Sequence, residues 1–258
     1  MINFEFLEAN KKSLREEYLF AKPFPYLVID NFCDEAKLTK AYKSIPELEN
    51  KSRDYVFANN KFEKSNYRVL CAEFDELYQE LNSERMNSFL SFITNEEVFV
   101  DPKNFGGGLH QGKKNSFLDM HLDFNYHPLN KDWFRNLNLL LYLNADWKPS
   151  YGGHLKVQDL RNNDSKELEV PFNRMIIQQT RAFTLHGYDQ THFPDGIFRT
   201  SIATYAYTKH LRHIEKPRTT DWFPKENDSV LKKFMAQHYN TAVQMKNKLF
   251  GSRTAKNQ

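Results

Sequence analysis

From about residue 97 to residue 210 the chain is written in short runs of β-branched, aromatic and leucine residues, each cut off by turn-forming residues. The runs are Val98–Val100, Phe117–Asp123, Asn138–Asn144, His154–Gln158, Met175–Gln179, Thr184–His186 and Thr200–Thr208. Between them stand Gly106-Gly107-Gly108, Pro128, Pro149, Gly152-Gly153, Asn162-Asn163-Asp164 and Pro194-Asp195-Gly196. Runs of this length bounded by such residues read as strands. Turn residues punctuate the stretches between the runs, which suggests a sandwich or barrel rather than a doubly wound α/β sheet, since the latter needs a helix between successive strands.

The flanks follow a different grammar. The first twenty residues read as a charged helix closed by Lys22-Pro23-Phe24-Pro25, because a proline disfavours helix at the residue before it. Tyr26–Ile29 predicts a strand, and Asp34 an N-cap for a helix carrying Ala36, Leu38, Ala41 and Tyr42 and ending by Pro46. Phe74, Leu77, Leu81, Phe89 and Ile93 predict one or two helices. The last fifty residues return to helix, with Val230, Phe234, His238 and Met245 as inward positions. The expected organisation is a support region over 1–96, a strand core over 97–210 and a helical extension with a basic tail over 211–258.

Composition narrows the class. A chain of 258 residues can bury a substantial core, and 15% aromatic residues argue against disorder. The mean hydropathy is −0.72, and apolar stretches such as Leu139–Leu143 fall far short of the ~20 residues of a membrane-spanning helix. Cys33 and Cys71 are too few for a disulfide framework and lack metal-ligand spacing. With no apolar signal core near the N-terminus, a cytoplasmic protein with reduced thiols is expected. The net charge of +3 is unevenly placed: residues 229–258 hold six basic residues and no acid. Charges so dispersed read as a solvated helix face, and neither nucleic acid nor membrane is expected as a partner.

The chemistry sits in the strand region. In a strand, residues i and i+2 share a face, so His121 and Asp123 would present an imidazole and a carboxylate side by side. A distant second histidine, for which His186 is the best placed, would complete a two-His-one-carboxylate triad holding one face of a ferrous ion. Taken alone, a His-x-Asp triplet also arises by chance. Downstream, Arg199 and Ser201 would face one side of a strand and form an anion clamp, the guanidinium offering paired donors. The alternative for Arg199 is a surface salt bridge.

Taken in order, these fragments resemble the iron(II)- and 2-oxoglutarate-dependent dioxygenases, in particular the prolyl-4-hydroxylase-like branch. The resemblance runs through Gly-Gly-Gly-Leu-His-Gln (106–111), His-Leu-Asp-Phe-Asn (121–125), Asn-Leu-Leu-Leu-Tyr-Leu-Asn-Ala-Asp-Trp (138–147), Gly-Gly-His-Leu-Lys-Val (152–157), His186 and Arg-Thr-Ser-Ile-Ala-Thr-Tyr (199–205). The segment 23–32 is similar to the family's lead-in.

The resemblance implies a mainly β fold, a double-stranded β-helix (a cupin-like jelly roll) with flanking helices. It implies that His121, Asp123 and His186 hold Fe(II), and that Arg199, with Ser201 beside it and Tyr142 nearby, binds the distal carboxylate of 2-oxoglutarate. Gln111 sits where some relatives carry a tyrosine near the proximal carboxylate. Several prolyl hydroxylases use lysine in place of Arg199, which puts this chain nearer the arginine-using members. The implied reaction consumes O2 and decarboxylates 2-oxoglutarate to succinate and CO2 while a C–H bond is hydroxylated, with ascorbate as an auxiliary reductant. The implied substrate is a prolyl residue of a peptide or a small molecule such as a free amino acid, the other reading being a non-catalytic jelly-roll binding protein. Asp123 argues against halogenation, since halogenases of this superfamily carry a small residue there.

Secondary expectations concern the pocket rim. The interval from His186 to Arg199 is long, which predicts a rim loop over Tyr188–Phe193. Trp133 is a substrate-pocket candidate, while His110, His154 and His192 read as structural or substrate-touching and His127 as a loop residue. Gly106–Gly108 lacks the Gly-Lys-Ser/Thr of a phosphate loop.

Overall fold

The structure, a computed structural model, describes residues 1–49 and 56–250, with side chains to residue 246. Four helices lead the chain or interrupt its first strands: α1 (Phe4–Phe20), α2 (Glu35–Lys43), α3 (Ala72–Leu81) and α4 (Glu84–Thr94). Side-chain caps fix their starts, with Asp34 accepting from the Lys37 N–H at 2.8 Å and Ser83 capping α4. The stretch over 73–93 is therefore two helices, separated by Asn82 and Ser83.

Among the described residues, eleven strands form one curled antiparallel sheet. In chain order they are β1 (Tyr26–Ile29), β2 (Ala58–Lys64), β3 (Phe99–Val100), β4 (Gly108–Leu122), β5 (Trp133–Tyr142), β6 (Leu155–Asp159), β7 (Ser165–Leu168), β8 (Arg174–Gln179), β9 (Thr184–Tyr188), β10 (Arg199–Lys209) and β11 (Asp221–Trp222). The spatial order β1-β8-β5-β10-β4-β9-β6-β7 is that of a jelly roll, with β2 and β11 added beside β4 and β3 beside β10. Strand β4 joins the two halves: Gly108–Gly112 pairs with β10, and Leu118 and His121 pair with β9.

Alternation sorts the side chains into two layers. Leu137, Leu139 and Leu141 of β5, Met175 and Ile177 of β8, and Ile202 and Ala206 of β10 pack against the helices in the larger core. Burying one such leucine stabilises the fold by ~1.5–3 kcal/mol. Tyr142, Leu155, Val157 and Ile176 face the inside of the half-barrel with Phe24, Tyr26, Leu168 and Val170. The helices thus back the larger half of the sheet and leave its inner face for the site.

Several expectations require correction. Strands β2, β7 and β11 were not anticipated, since Ala-Asn-Asn-Lys-Phe-Glu-Lys and Ser-Lys-Glu-Leu are polar sequences that pair at sheet edges. The last helix, α5 (Val230–Phe250), exists, but Val230, Phe234, His238 and Met245 point outward. Its inner face carries Lys232, Ala236, Tyr239, Asn240 and Val243, with Tyr239 packed edge-on against Trp222 and Phe57. Lys248, Arg253 and Lys256 of the basic segment lie outside the described side chains. Of the expected loop over 188–193, Tyr188 instead ends β9, while 189–193 carry no helix or strand and bury Thr191 and Phe193. Cys33 and Cys71 are unbridged, and no helix among the described residues is long and apolar enough to cross a membrane.

Candidate active site

The inner face of the half-barrel holds a cavity of about 120 Å³ at the junction of β4, β9, β5 and β10. His121 and His186 meet there because they are directly paired across β4 and β9, with ring centroids 4.3 Å apart. Asp123 follows immediately after β4 and points back to the same place. Its Oδ1 lies 3.7 Å from His121 Nε2 and its Oδ2 3.6 Å from His186 Nε2. One donor atom from each of the three lies within 4.8 Å of the other two.

The surroundings prepare these groups as donors. His121 Nδ1 donates to the Asp119 carbonyl at 2.9 Å, which leaves Nε2 with its lone pair toward Asp123. Burial holds both imidazoles neutral: it pushes His121 down, and it takes His186 to about 3 with the help of His121. Burial alone would raise the Asp123 carboxyl, but Arg135, His186 and His121 pull it well below the usual carboxylate range. Asn138 donates to its Oδ2 at 2.7 Å and Arg135 Nη2 lies 3.2 Å from the same oxygen. Two neutral imidazoles and an anchored carboxylate suit a first-row divalent metal and supply one face of an octahedron.

Deeper along β10, Arg199, Ser201, Ala203 and Tyr205 line the cavity at a spacing of two. Arg199 is buried, donates from Nε to the Gly153 carbonyl at 2.8 Å, and lies 3.9 Å above the ring of Tyr188. Tyr142 Oη is 3.4 Å from its Nη2, and Ser201 is the register partner of both Tyr142 and His110. Arg199 forms no ion pair with any carboxylate among the described residues. A buried guanidinium in that position favours an anion from outside the chain. The residues present therefore fit a metal at the triad and a carboxylate at Arg199.

Gln111 is a correction. It lies on the opposite face of β4, where its Oε1 accepts from the Leu48 N–H at 2.8 Å and its Nε2 donates to the Pro46 carbonyl. Its neighbour His110 lines the cavity instead, pushed down to about 3 by burial, Lys61 and Arg199. Trp133 is also elsewhere, packed on Phe99, His127 and Tyr207. His127 is fully buried, accepting from the Leu129 and Asn130 N–H groups, while His154 packs on Trp147 and His192 is exposed.

Four further groups were not read from the sequence. Arg135 reaches the cavity because a bulge opposite Ala206 and Tyr207 skips Asn136, turning Arg135 onto the face of Asn138 and away from that of Leu137. Its guanidinium lies 3.5 Å from the Tyr205 ring centroid, and its Nη1 finds no hydrogen-bond partner among the described residues. Asn138 could have been found from Tyr142 by counting back in twos. Lys61 enters from β2, brought down to about 8 by burial and Arg199. Trp222 of β11, paired with His121, sets its ring 4.9 Å from that imidazole at a 36° tilt and is itself stacked on Phe57. Nothing in the sequence links Trp222 to a histidine a hundred residues earlier.

Comparison with known proteins gives a consistent picture. Residues 107–207 match the model of the 2OG-Fe(II) oxygenase superfamily. Among curated proteins none matches the sequence significantly. A prolyl hydroxylase from Trichoplax adhaerens, solved with a hypoxia inducible factor peptide, is similar in structure at TM-score 0.58 and 14% identity, over 80% of this chain and 91% of that one. A Pseudomonas putida prolyl-4-hydroxylase is similar at TM-score 0.56 and 14% identity, over 78% of this chain and 100% of that one. HygX from Streptomyces hygroscopicus, with nickel and 2-oxoglutarate bound, follows at TM-score 0.50 and 11% identity, over 72% and 83%. At these identities the structural likeness establishes the fold.

Proposed function

We propose that this chain is an Fe(II)- and 2-oxoglutarate-dependent oxygenase that hydroxylates an unactivated C–H bond of a prolyl or similar substrate, a reading supported by the match of residues 107–207 to the 2OG-Fe(II) oxygenase superfamily model. The observation that carries the reading is the convergence of His121, Asp123 and His186 in one cavity with the unpaired Arg199. In this reading His121, Asp123 and His186 hold the metal, and Arg199, Tyr142 and Ser201 hold the far carboxylate of 2-oxoglutarate. The bound metal and cosubstrate supply the oxidative decarboxylation and the oxidising equivalent for the C–H bond.

The chain's own residues supply geometry. Asn138 and Arg135 fix the Asp123 carboxylate, and the Asp119 carbonyl fixes the His121 ring. Tyr188 and Tyr142 flank the Arg199 guanidinium and keep water from it. The free Nη1 of Arg135 is in place to take a carbonyl or carboxylate oxygen of the substrate.

A second reading, a free amino acid or similar small anion as substrate, is favoured by the charge of the cavity. Arg135 and Lys61 line it in addition to Arg199, against the single carboxylate of Asp123. Oxygen-dependent succinate release, measured with proline-rich peptides, free proline and other free amino acids, separates the two. Stimulation by peptides supports the prolyl reading, and stimulation by free amino acids alone overturns it in favour of the second. If wild type releases no succinate even without substrate, the enzyme reading itself fails.

A further inference from the structure

Helix α5 has two faces, and only one is used. The inner face is anchored: Lys232 bridges Asp119 and Asp228, Asn240 accepts from the Thr219 N–H and hydroxyl, and Tyr239 closes on Trp222 and Phe57. These contacts fix the helix against β11 and β4 and hold its other face outward. That outer face carries exposed apolar residues toward both ends, with exposed His238 and Thr241 between them. Leu231 is 69% exposed, Phe234 58% and Met245 61%, with Val230 and Ala242 also exposed along the same stripe. Leu231 and Phe234 at one end, and Ala242 and Met245 at the other, are each three apart and fall on one side of the helix, where a fully solvated face would be polar throughout.

The charges beside the ridge identify what fits it. Lys233 and Lys246 flank it, and from residue 229 to residue 258 the sequence has six basic residues and no acid. A second copy of α5 laid on the ridge would set lysines against lysines with no carboxylate of the helix to pair them. An anionic lipid surface meets both requirements, since its acyl region accepts the apolar stripe and its headgroups accept the flanking lysines.

We propose that α5 docks the protein on anionic lipid surfaces through the ridge Leu231–Phe234–Met245 and its flanking lysines. The half-barrel then rides beside the membrane with α5 in the interfacial plane. This differs from the sequence-based expectation of no membrane contact, which rested on the dispersal of the six basic residues over residues 229–258.

The test is sedimentation of the full chain with vesicles of phosphatidylglycerol and phosphatidylcholine, against vesicles of phosphatidylcholine alone. Binding at least tenfold stronger to the anionic vesicles, weakened by salt, is expected. The double substitution Leu231→Glu/Phe234→Glu is expected to reduce that binding at least tenfold, with circular dichroism and melting temperature unchanged because both side chains are exposed. Lys233→Glu/Lys246→Glu is expected to remove the preference for anionic lipid. Absence of binding to anionic vesicles overturns the proposal, as does binding that survives Leu231→Glu/Phe234→Glu. A concentration-dependent dimer that this double substitution dissolves and vesicles do not compete away assigns the ridge to a second copy instead.

Discussion

A single side chain decides much of the site's electrostatics. Arg199 is a buried cation whose in-chain partners are a carbonyl and aromatic rings, so its charge is left for a ligand. Charge-assisted hydrogen bonds of this kind contribute ~1.5–3 kcal/mol, so Arg199→Gln should raise the KM for 2-oxoglutarate by roughly ten- to a hundredfold, with a smaller change in kcat. Steady-state succinate assays at varied 2-oxoglutarate check this, and an unchanged KM contradicts the assignment. Outside the site, Asp101 offers a test of the fold's pH dependence. Burial would raise its carboxyl, but His127, 3.4 Å away, and the N–H groups of Lys103 and Phe105 bring it below the ordinary value. The ionised group therefore stabilises the fold above the unfolded value near pH 4, and this contribution is lost as pH falls through the folded value. Asp101→Asn should cost ~1–3 kcal/mol at neutral pH, with melting curves of variant and wild type converging in acid. A gap independent of pH would refute that account. At this scale the sequence was legible where spacing is short: His121 and Asp123 share a strand end, and Arg199 and Ser201 a strand. It was illegible where a bulge changes face, as at Arg135, and it put Gln111 on the wrong side because alternation turns His110 inward.

His121 and His186 are brought together by two strands whose backbones approach closely. Gly187, next to His186 in β9, faces the main chain of β4: a Cβ there would stand 2.6 Å from the Leu118 carbonyl oxygen and 2.8 Å from that of Asp119. Since Asp119's carbonyl also orients His121, moving β9 away disturbs both the pairing and the ring. Gly187→Ala is expected to cost ~1–3 kcal/mol by overpacking, a fall in melting temperature of several degrees, and to weaken metal binding. Calorimetry of the apo protein and a Co(II) titration measure the two, and an alanine variant with wild-type values for both would show that the close approach is unimportant. The long apolar strands β5, β8 and β10 could be read from their composition, whereas β2, β7 and β11 are polar edge segments whose strand state comes from the neighbour they pair with. For α5, the helical period was legible but not its buried face, which is set by the packing of Tyr239 on Trp222 of β11.

Over the whole molecule, the helices stiffen one face of the sheet, and the opposite face gathers His121, Asp123 and His186, the buried Arg199 and aromatic walls into one small, largely buried cavity. Half of this architecture lies in alternation and turn placement within residues 97–210. The other half, the closing of β4 onto both sheet halves and the capping of His121 by Trp222, depends on contacts between segments far apart in sequence. The central claim is that the cavity binds Fe(II) and 2-oxoglutarate together through His121, Asp123, His186 and Arg199. Anaerobic absorption spectroscopy tests it most directly. Addition of Fe(II) and 2-oxoglutarate to the wild-type protein should give the weak visible charge-transfer band of the ternary complex, and Asp123→Ala should abolish or strongly weaken it. A wild-type protein without the band, or an Asp123→Ala variant that retains it at full intensity, would contradict the account.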